Sequence, residues 1–144
     1  MRFAVFVRAT DDTEAGRFPE GQEKEDLFAA MGRYHKEMAD AGVLLDGSGL
    51  QPSAKGARIH FDGAETRVVD GPFAEAKELV AGYSIIQVGS KEEAVAWARR
   101  MPNPYGRNGK GIVEVRQLYE LEDFADIAAI DAHFRDIPAF DRQS

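Results

Sequence analysis

The sequence predicts an α+β fold in which an antiparallel sheet carries two helices on one face. Three observations support this class. Strand-like segments alternate apolar residues at a period of two, two segments repeat apolar residues at spacings of three and four, and the order is strand, helix, strands, then strand, helix, strand. A chain of 144 residues with this order forms one domain with a real core.

The first half begins with a strand over Arg2–Arg8, whose two faces are both apolar. The polar segment Thr10–Gln22 is long for a compact domain, which makes it a candidate lid. A helix follows over Glu23–Ala41 and ends before Gly42, a residue type common where helices stop. The buried stripe of this helix is predicted to contain Leu27, Met31, Tyr34, Met38 and Ala41.

The middle of the chain predicts three shorter strands. Val43–Leu45 starts a strand that Gly47-Ser48-Gly49 interrupts, and glycine there allows a bulge or the close approach of a ligand. Ala57–Phe61 and Thr66–Val69 flank Asp62-Gly63 and predict a hairpin.

The second half repeats the alternation of strand and helix. Leu79–Val88 is the most hydrophobic strand, and Ser90-Lys91-Glu92-Glu93 predicts a capping box that opens the second helix. A basic, glycine-rich loop, Asn103–Gly111, precedes the last long strand, Ile112–Leu118. The remaining residues, 119–144, are acidic with a helical pattern, and we expect them to form an arm on this subunit or on a neighbour.

The sheet is predicted to be apolar on both faces, although two helices cover only one. A one-sided antiparallel sheet alternates apolar and polar residues, whereas the first and fifth strands carry apolar residues on both sides. A second copy of the chain is the simplest cover for the other face, so we expect a homodimer.

Composition excludes several classes. The net charge of −7 argues against nucleic acid or an anionic membrane as the main partner. The absence of cysteine excludes disulfides, thiolate metal sites and cysteine nucleophiles, and it fits a cytoplasmic protein. The apolar run Phe3–Val7 is too short for a signal peptide or a membrane span.

One motif, Asp70-Gly71-Pro72-Phe73-Ala74-Glu75-Ala76-Lys77-Glu78, lies between two predicted strands. Pro72 suits the first turn of a helix, and Asp70 can cap that turn by accepting backbone N–H bonds. We therefore expect a rigid corner that presents a carboxylate. A well-capped connection without chemistry is the alternative interpretation.

This motif resembles the signature of the DGPF branch of the YCII-related family. Three further stretches fit that branch: Ala41–Ser53, Ala81-Gly82-Tyr83 and Val113-Glu114-Val115-Arg116. The resemblance covers residues 1–118 and implies a ferredoxin-like sheet that assembles as a dimeric α/β barrel, with 119–144 as an extension. The activity of the family is mostly unassigned, so the resemblance does not decide the function.

Asp70 and His35 are the candidate catalytic residues. His35 lies at the edge of the apolar stripe of the first helix, where an imidazole can act as a base. The resemblance implies that a His near the first helix pairs with an Asp in some relatives. The position of that His falls nearer Gly32 here, so His35 is displaced by about one helical turn.

Arg8, Arg58 and Tyr83 are the candidate ligand-binding residues. An arginine on an otherwise apolar sheet face pairs with a carboxylate of the protein or of a ligand, such as a small organic acid. The hydroxyl of Tyr83 needs a partner, in a pocket or in the core. The three histidines lack metal-ligand spacing, so we expect no metal and no cofactor.

Three functions remain open. The protein is a dimeric module that binds a small molecule near the Asp70 corner, or a lyase or isomerase that uses Asp70 and His35 in proton transfer. The third function is that of a regulatory module. It is suggested by analogy alone, because genes of the DGPF branch often resemble companions of alternative sigma factors.

Overall fold

The computed structural model of the protein describes residues 1–140, and its main element is a four-stranded antiparallel sheet. The strand order is β2-β5-β1-β6, with a separate two-stranded sheet formed by β3 and β4. The strands are β1 (Arg2–Arg8), β2 (Leu44–Gly49), β3 (Ala57–Asp62), β4 (Glu65–Asp70), β5 (Val80–Gln87) and β6 (Val113–Gln117). The predicted α+β class is confirmed, and the arrangement is consistent with a ferredoxin-like fold.

Two helices, α2 (Gly21–Asp40) and α3 (Lys91–Arg99), pack on one face of the main sheet. After α2, Gly42 has a φ of 71°, a backbone conformation that favours glycine, so the predicted helix end is confirmed. Ser90 caps α3 by accepting a bond from the N–H of Glu93 at 3.2 Å. The carboxylate of Glu93 accepts from Gly89 rather than from Ser90, so the predicted capping box is shifted by one residue.

The predicted loop Thr10–Gln22 contains a short helix, α1 (Asp11–Glu14). Thr10 and Thr13 cap it reciprocally: the side chain of each accepts a bond from the backbone N–H of the other. Propensity favours threonine at such a cap, because its hydroxyl satisfies donors that the helix leaves free.

The core lies between the two helices and the sheet. Phe3 is directly opposite Ile86, and Val5 is directly opposite Ser84, so these residues share the helix-facing side. Burial of each large apolar side chain here stabilises the fold by about 1.5–3 kcal/mol. The fully buried members include Phe3, Val5, Met38 and Ile86.

Tyr34 joins the two helices. Its hydroxyl donates to the backbone carbonyl of Trp97, on α3, at 2.8 Å. Burial raises the pKa of Tyr34 to about 12, because the phenolate would lose its hydration. The helix layer is therefore fixed by a neutral hydrogen bond as well as by apolar packing.

The opposite face of the sheet has no helix over it among residues 1–140. Phe6 is paired with Tyr83 and Ala4 with Ile85, so apolar residues do occupy this face, as the sequence predicts. It also carries a charged row at one edge, where Glu114 accepts bonds from Arg116 at 3.2 Å and Arg8 at 2.9 Å. The bond from Arg116 is the main cause of the lowered pKa of Glu114, with Arg8 adding to it.

The hairpin of β3 and β4 turns at Gly63, whose φ is 61°. Ile59 is paired with Val68, and both are more than half exposed, as is Phe61 two residues further along the same side. Strand β2 continues through Gly47-Ser48-Gly49 instead of ending there, and its irregularity falls earlier, between Leu44 and Asp46.

The start of the predicted extension packs on its own subunit. Leu118 donates its N–H to Arg2 at 2.9 Å, Arg2 forms an ion pair with Glu120 at 2.8 Å, and Leu121 is buried. A short helix, α4 (Ala128–His133), follows. The last part of the extension, residues 141–144, lies outside the described residues. Within residues 1–140, none of the helices has the length and apolar character needed to cross a bilayer.

Candidate functional site

A cavity of about 480 Å³ lies between α2 and the sheet. Its floor comes from β1, β2 and β5, its roof from α2, and its rim from the segment before α2 and the segment after α3. The lining residues used below are Thr13, Phe18, Phe28, Met31, His35, Gly47, Ser48, Gly49, Gly82, Tyr83, Ser84 and Met101. We call this space the α2 cavity.

The α2 cavity is open because the floor lacks large side chains. Gly47 is paired with Ser84 and Gly49 with Gly82, so small residues are adjacent across β2 and β5. A Cβ atom built on Gly49 would have nothing within 4 Å. Further along the same side of β5, Ile86 fills the equivalent space, which explains why the core is solid there.

Two aromatic rings stand at the edge of the α2 cavity. Phe18, from the predicted lid segment, and Phe28, from α2, have ring centroids 6.4 Å apart. Both rings are more than half exposed, at 58% and 57%, which is unusual for phenylalanine. The lid segment thus borders the cavity, while its opening and closing stays a prediction.

His35 presents one ring nitrogen that has no partner among residues 1–140. Its Nδ1 lies 2.8 Å from the carbonyl oxygen of Met31. A carbonyl only accepts, so Nδ1 carries a proton, and in the neutral form of the ring Nε2 is then an acceptor. His35 lines the α2 cavity, and this assignment gives the cavity a basic atom.

Ser84 is the second polar feature of the α2 cavity. It is only 5% exposed, in the middle of the most hydrophobic strand. Its hydroxyl makes no hydrogen bond to the protein within residues 1–140. Sequence reasoning missed Ser84, yet Gly82 and Ser84 alternate on the side that carries Ile86, and two small residues there signal an unfilled space.

A second cavity, of about 370 Å³, adjoins the last part of the nine-residue motif. Arg8 lines it and donates to Glu114 at 2.9 Å and to the carbonyl of Lys77. The Nε of Arg8 is buried and has no partner among the described residues. Lys77, Asp11 and Glu75 also line this cavity, so its charges are mixed.

Asp70 lines neither of these two cavities. It is the last residue of β4, is paired with Ala57, and is exposed. The side chain accepts no hydrogen bond within the described part of the chain, so the predicted cap does not form.

The predicted helix at Pro72 is wrong. The peptide between Gly71 and Pro72 is cis, and helical structure begins only with a 3₁₀ turn at Ala76–Glu78. The N–H of Phe73 donates to the side chain of Ser53 at 3.0 Å, which holds the backbone away from a helical turn.

Ser53 is the residue that fixes this corner. Its N–H and hydroxyl both donate to the carboxylate of Glu14, at the end of α1. A Cβ atom on Gly71 would lie 1.7 Å from the carbonyl oxygen of Ser53, so only glycine fits there. The motif therefore makes a close backbone contact with Ser53, and Ser53 connects it to α1 through the side chain of Glu14.

The structure separates the five predicted site residues. His35 and Tyr83 border the α2 cavity, although the Tyr83 hydroxyl points to Asp46, 3.4 Å away. Arg8 borders the second cavity. Arg58 lies over the ring of Phe73, with 4.0 Å from guanidinium carbon to ring centroid. The expected common cavity for Arg8 and Arg58, and the expected proximity of Asp70 to His35, are not found.

A metal site is not formed by the described residues, since no three of their His, Asp or Glu side chains cluster in a suitable way. The chemistry of the α2 cavity is that of apolar contact, one histidine nitrogen and one serine hydroxyl.

A family model of the YCII-related domain matches residues 1–122. The protein belongs to the YCII-related family. This YCII-related chain is also 31% identical to an uncharacterized protein of Rhizobium meliloti (strain 1021) over 99 residues, which are 69% of this chain and 80% of that protein.

A solved structure of low sequence identity is also similar to the YCII-related chain. This is the 5-chloro-2-hydroxyhydroquinone dehydrochlorinase TftG from Burkholderia phenoliruptrix AC1100, in complex with 2,5-dihydroxybenzoquinone. Identity is 12%, the TM-score is 0.43, and the match covers 83% of this chain and 95% of that chain.

Proposed function

We propose that this YCII-related protein binds a small organic molecule in the α2 cavity. The observation that carries the proposal is the space above Gly47, Gly49 and Gly82, three positions of the floor that have no side chain. A volume of about 480 Å³ is within the range of small-molecule sites.

The binding site proposed here differs from the one that the sequence predicts. The Asp70 corner is occupied by backbone contacts with Ser53, whereas the α2 cavity is open. A small organic acid held by Arg8 would have to bind in the second cavity, where Glu114 already neutralises that arginine. The α2 cavity is therefore the better site.

We also propose that the protein is a homodimer of the α/β-barrel type and a member of the DGPF branch. Support for the dimer comes from Phe6, Tyr83 and Ile85, which are half-buried on the face without helices. Light scattering at micromolar concentration should give twice the subunit mass of 15.9 kDa. Replacing Ile85 by Glu should shift the mass to that of one subunit, and a wild-type monomer would refute the dimer.

Proton transfer by His35 is the second candidate function. The bond from Nδ1 to Met31 favours it, because that bond leaves Nε2 free as a base inside the cavity. Asp70 is not beside His35, so a lyase or isomerase at this site would use His35 without that carboxylate. Ligand turnover that His35→Gln abolishes, and that Asp70→Asn leaves intact, is the expected result for such an enzyme.

Small-molecule binding is tested by a substitution on the floor of the α2 cavity that fills part of its volume. N-phenyl-1-naphthylamine is an uncharged probe whose fluorescence rises in apolar sites. Wild type should bind it, and Gly49→Leu should weaken binding at least tenfold, about 1.4 kcal/mol, because the new side chain occupies the cavity.

The matched control is Gly49→Ala, which adds one methyl group and leaves most of the volume open. It should bind the probe more tightly than Gly49→Leu does, since a methyl group fills much less of the cavity than an isobutyl group. Equal binding by wild type and Gly49→Leu, with both variants folded by circular dichroism, would rule out the α2 cavity as the site.

A further inference from the structure

We infer that the ligand of the α2 cavity is an uncharged ring compound bearing a hydroxyl group, of the phenol class. The inference rests on the proposed function and adds the chemistry of the ligand. It follows from three properties of the cavity: its charge, its unpartnered polar atoms and its shape.

The α2 cavity has no formal charge on its walls. None of its lining residues is Asp, Glu, Lys or Arg. A carboxylate or ammonium group entering such a space would lose its hydration without gaining an opposite charge, which is strongly unfavourable. The ligand is therefore neutral where it is enclosed.

Most polar side chains around the α2 cavity are already hydrogen-bonded. The Thr13 hydroxyl donates to the Thr10 carbonyl at 3.0 Å and accepts from the Thr10 N–H at 2.8 Å. Ser48 and Tyr83 are paired with each other, and their side chains lie on the opposite face of the sheet. There the Ser48 hydroxyl donates to the carbonyl of Gly49 at 3.3 Å, and the Tyr83 hydroxyl reaches Asp46 at 3.4 Å. These groups add little to ligand recognition.

Two polar atoms remain available to a ligand. The hydroxyl of Ser84 has no protein partner within residues 1–140, although the residue is only 5% exposed. Nε2 of His35 only accepts in the tautomer fixed by Met31. A ligand hydroxyl can donate to Nε2 and can also accept from Ser84, whereas a ketone oxygen can only accept. The pair therefore favours a hydroxyl group.

The shape of the α2 cavity favours a flat ligand. Part of the floor is peptide backbone at Gly47, Gly49 and Gly82, where a ring can lie against the strands without meeting a large side chain. Met31 and Met101 offer thioethers, and Phe18 and Phe28 offer ring faces and edges. Sulfur and aromatic groups of this kind contact aromatic rings favourably.

The test compares three probes that share one ring system. Isothermal titration at pH 7 should show that 2-naphthol binds at least tenfold more tightly than naphthalene, because it alone can bond to Ser84 and His35. The anion 2-naphthoate should bind at least tenfold more weakly than 2-naphthol. Naphthoate binding as tightly as naphthol would overturn the neutral class.

Two variants assign the hydroxyl recognition. Ser84→Ala should weaken 2-naphthol at least threefold and leave naphthalene unchanged. The matched control is Thr66→Ala, which removes an exposed hydroxyl from β4, outside the α2 cavity, and it should leave the binding of both probes unchanged. If Ser84→Ala had no effect on 2-naphthol, the hydroxyl class would be wrong.

The failure of this inference is separable from the failure of the proposed function. If 2-naphthol and naphthalene bind equally well and Gly49→Leu abolishes the binding of both, the cavity binds small molecules without selecting for a hydroxyl group. If naphthalene, 2-naphthol and 2-naphthoate all fail to bind while N-phenyl-1-naphthylamine binds, the ligand class is overturned and the site stands. If Gly49→Leu changes nothing for any probe, both fail.

Discussion

Glycine does opposite things in two regions of this molecule. At the Asp70 corner, a Cβ on Gly71 would lie 1.7 Å from the Ser53 carbonyl oxygen, so the missing side chain permits contact. On the floor of the α2 cavity, a Cβ on Gly49 would have nothing within 4 Å, so the missing side chain leaves space. One region is closed by glycine and the other is opened by it.

The comparison teaches where to look for a binding site. The most distinctive motif of the chain, Asp70–Glu78, mainly holds the hairpin to α1 through Ser53 and Glu14. The α2 cavity, in contrast, is lined by Gly47, Gly49 and Gly82, which belong to two other stretches of the resemblance, Ala41–Ser53 and Ala81-Gly82-Tyr83. The nine-residue motif therefore forms a structural joint, whereas these two shorter stretches border the open space.

The largest expected effect is at the closed region. Gly71→Ala should destabilise the protein by about 3 kcal/mol or more, because the backbone of the corner must move to admit the methyl group. Urea unfolding followed by circular dichroism measures the loss. Gly49→Ala is the matched control and should change stability by less than about 1 kcal/mol. Equal losses of stability in Gly71→Ala and Gly49→Ala would contradict the different roles assigned to the two glycines.

The next effect concerns the helix that roofs the open region. The folded-state pKa of Tyr34 is about 12, above its ordinary value of 10, so the folded protein retains this proton more strongly. Between pH 10 and 12 the unfolded chain ionises first, and stability should fall by about 2–3 kcal/mol as the pH rises. Below pH 10 this contribution is fully present.

Urea midpoints measured from pH 8 to 12 check the Tyr34 prediction. Tyr34→Phe removes the titrating group and the 2.8 Å bond to Trp97. It should cost about 1 kcal/mol at pH 8 and flatten the alkaline decline. An identical decline in wild type and Tyr34→Phe would assign the effect to another group.

A moderate effect is expected at the partner of Gly71. Ser53→Ala removes the hydroxyl that donates to Glu14 and accepts from the N–H of Phe73 at 3.0 Å. We expect a loss of about 1–2 kcal/mol, since a half-buried N–H loses its acceptor. Ser48→Ala, on an exposed residue of β2, should change the urea midpoint very little. Insensitivity of stability to Ser53→Ala would mean that the corner is held by shape alone.

The smallest effect is expected at Asp70. Asp70→Asn should change the free energy of unfolding by less than about 0.5 kcal/mol, because the carboxylate is exposed and accepts no bond in the described chain. It should also leave probe binding in the α2 cavity unchanged. A marked loss of binding would connect the two regions and contradict their separation.

The sequence predicts the layers of this fold well, because periodicity records which side of each element is buried. The boundaries of β1 and the end of α2 before Gly42 illustrate this. It predicts the site poorly, since His35 is found on the cavity while Asp70 and Arg58 are not. Contacts such as Ser53 with Gly71 join segments that are distant in sequence, and no local pattern encodes them.

The corner at Gly71 also separates the β3–β4 hairpin from the main sheet, and we expect the hairpin to unfold locally more easily than the main sheet. Strands β3 and β4 are hydrogen-bonded only to one another within the described chain, and an isolated two-stranded hairpin is marginally stable. Amide protons from Ile59 to Val68 should therefore exchange with deuterium by local opening, well before those of β1 and β5. The boundary between fast-exchanging and slow-exchanging amides should lie at Gly71, whose N–H donates to the carbonyl of Gly56 at 2.9 Å.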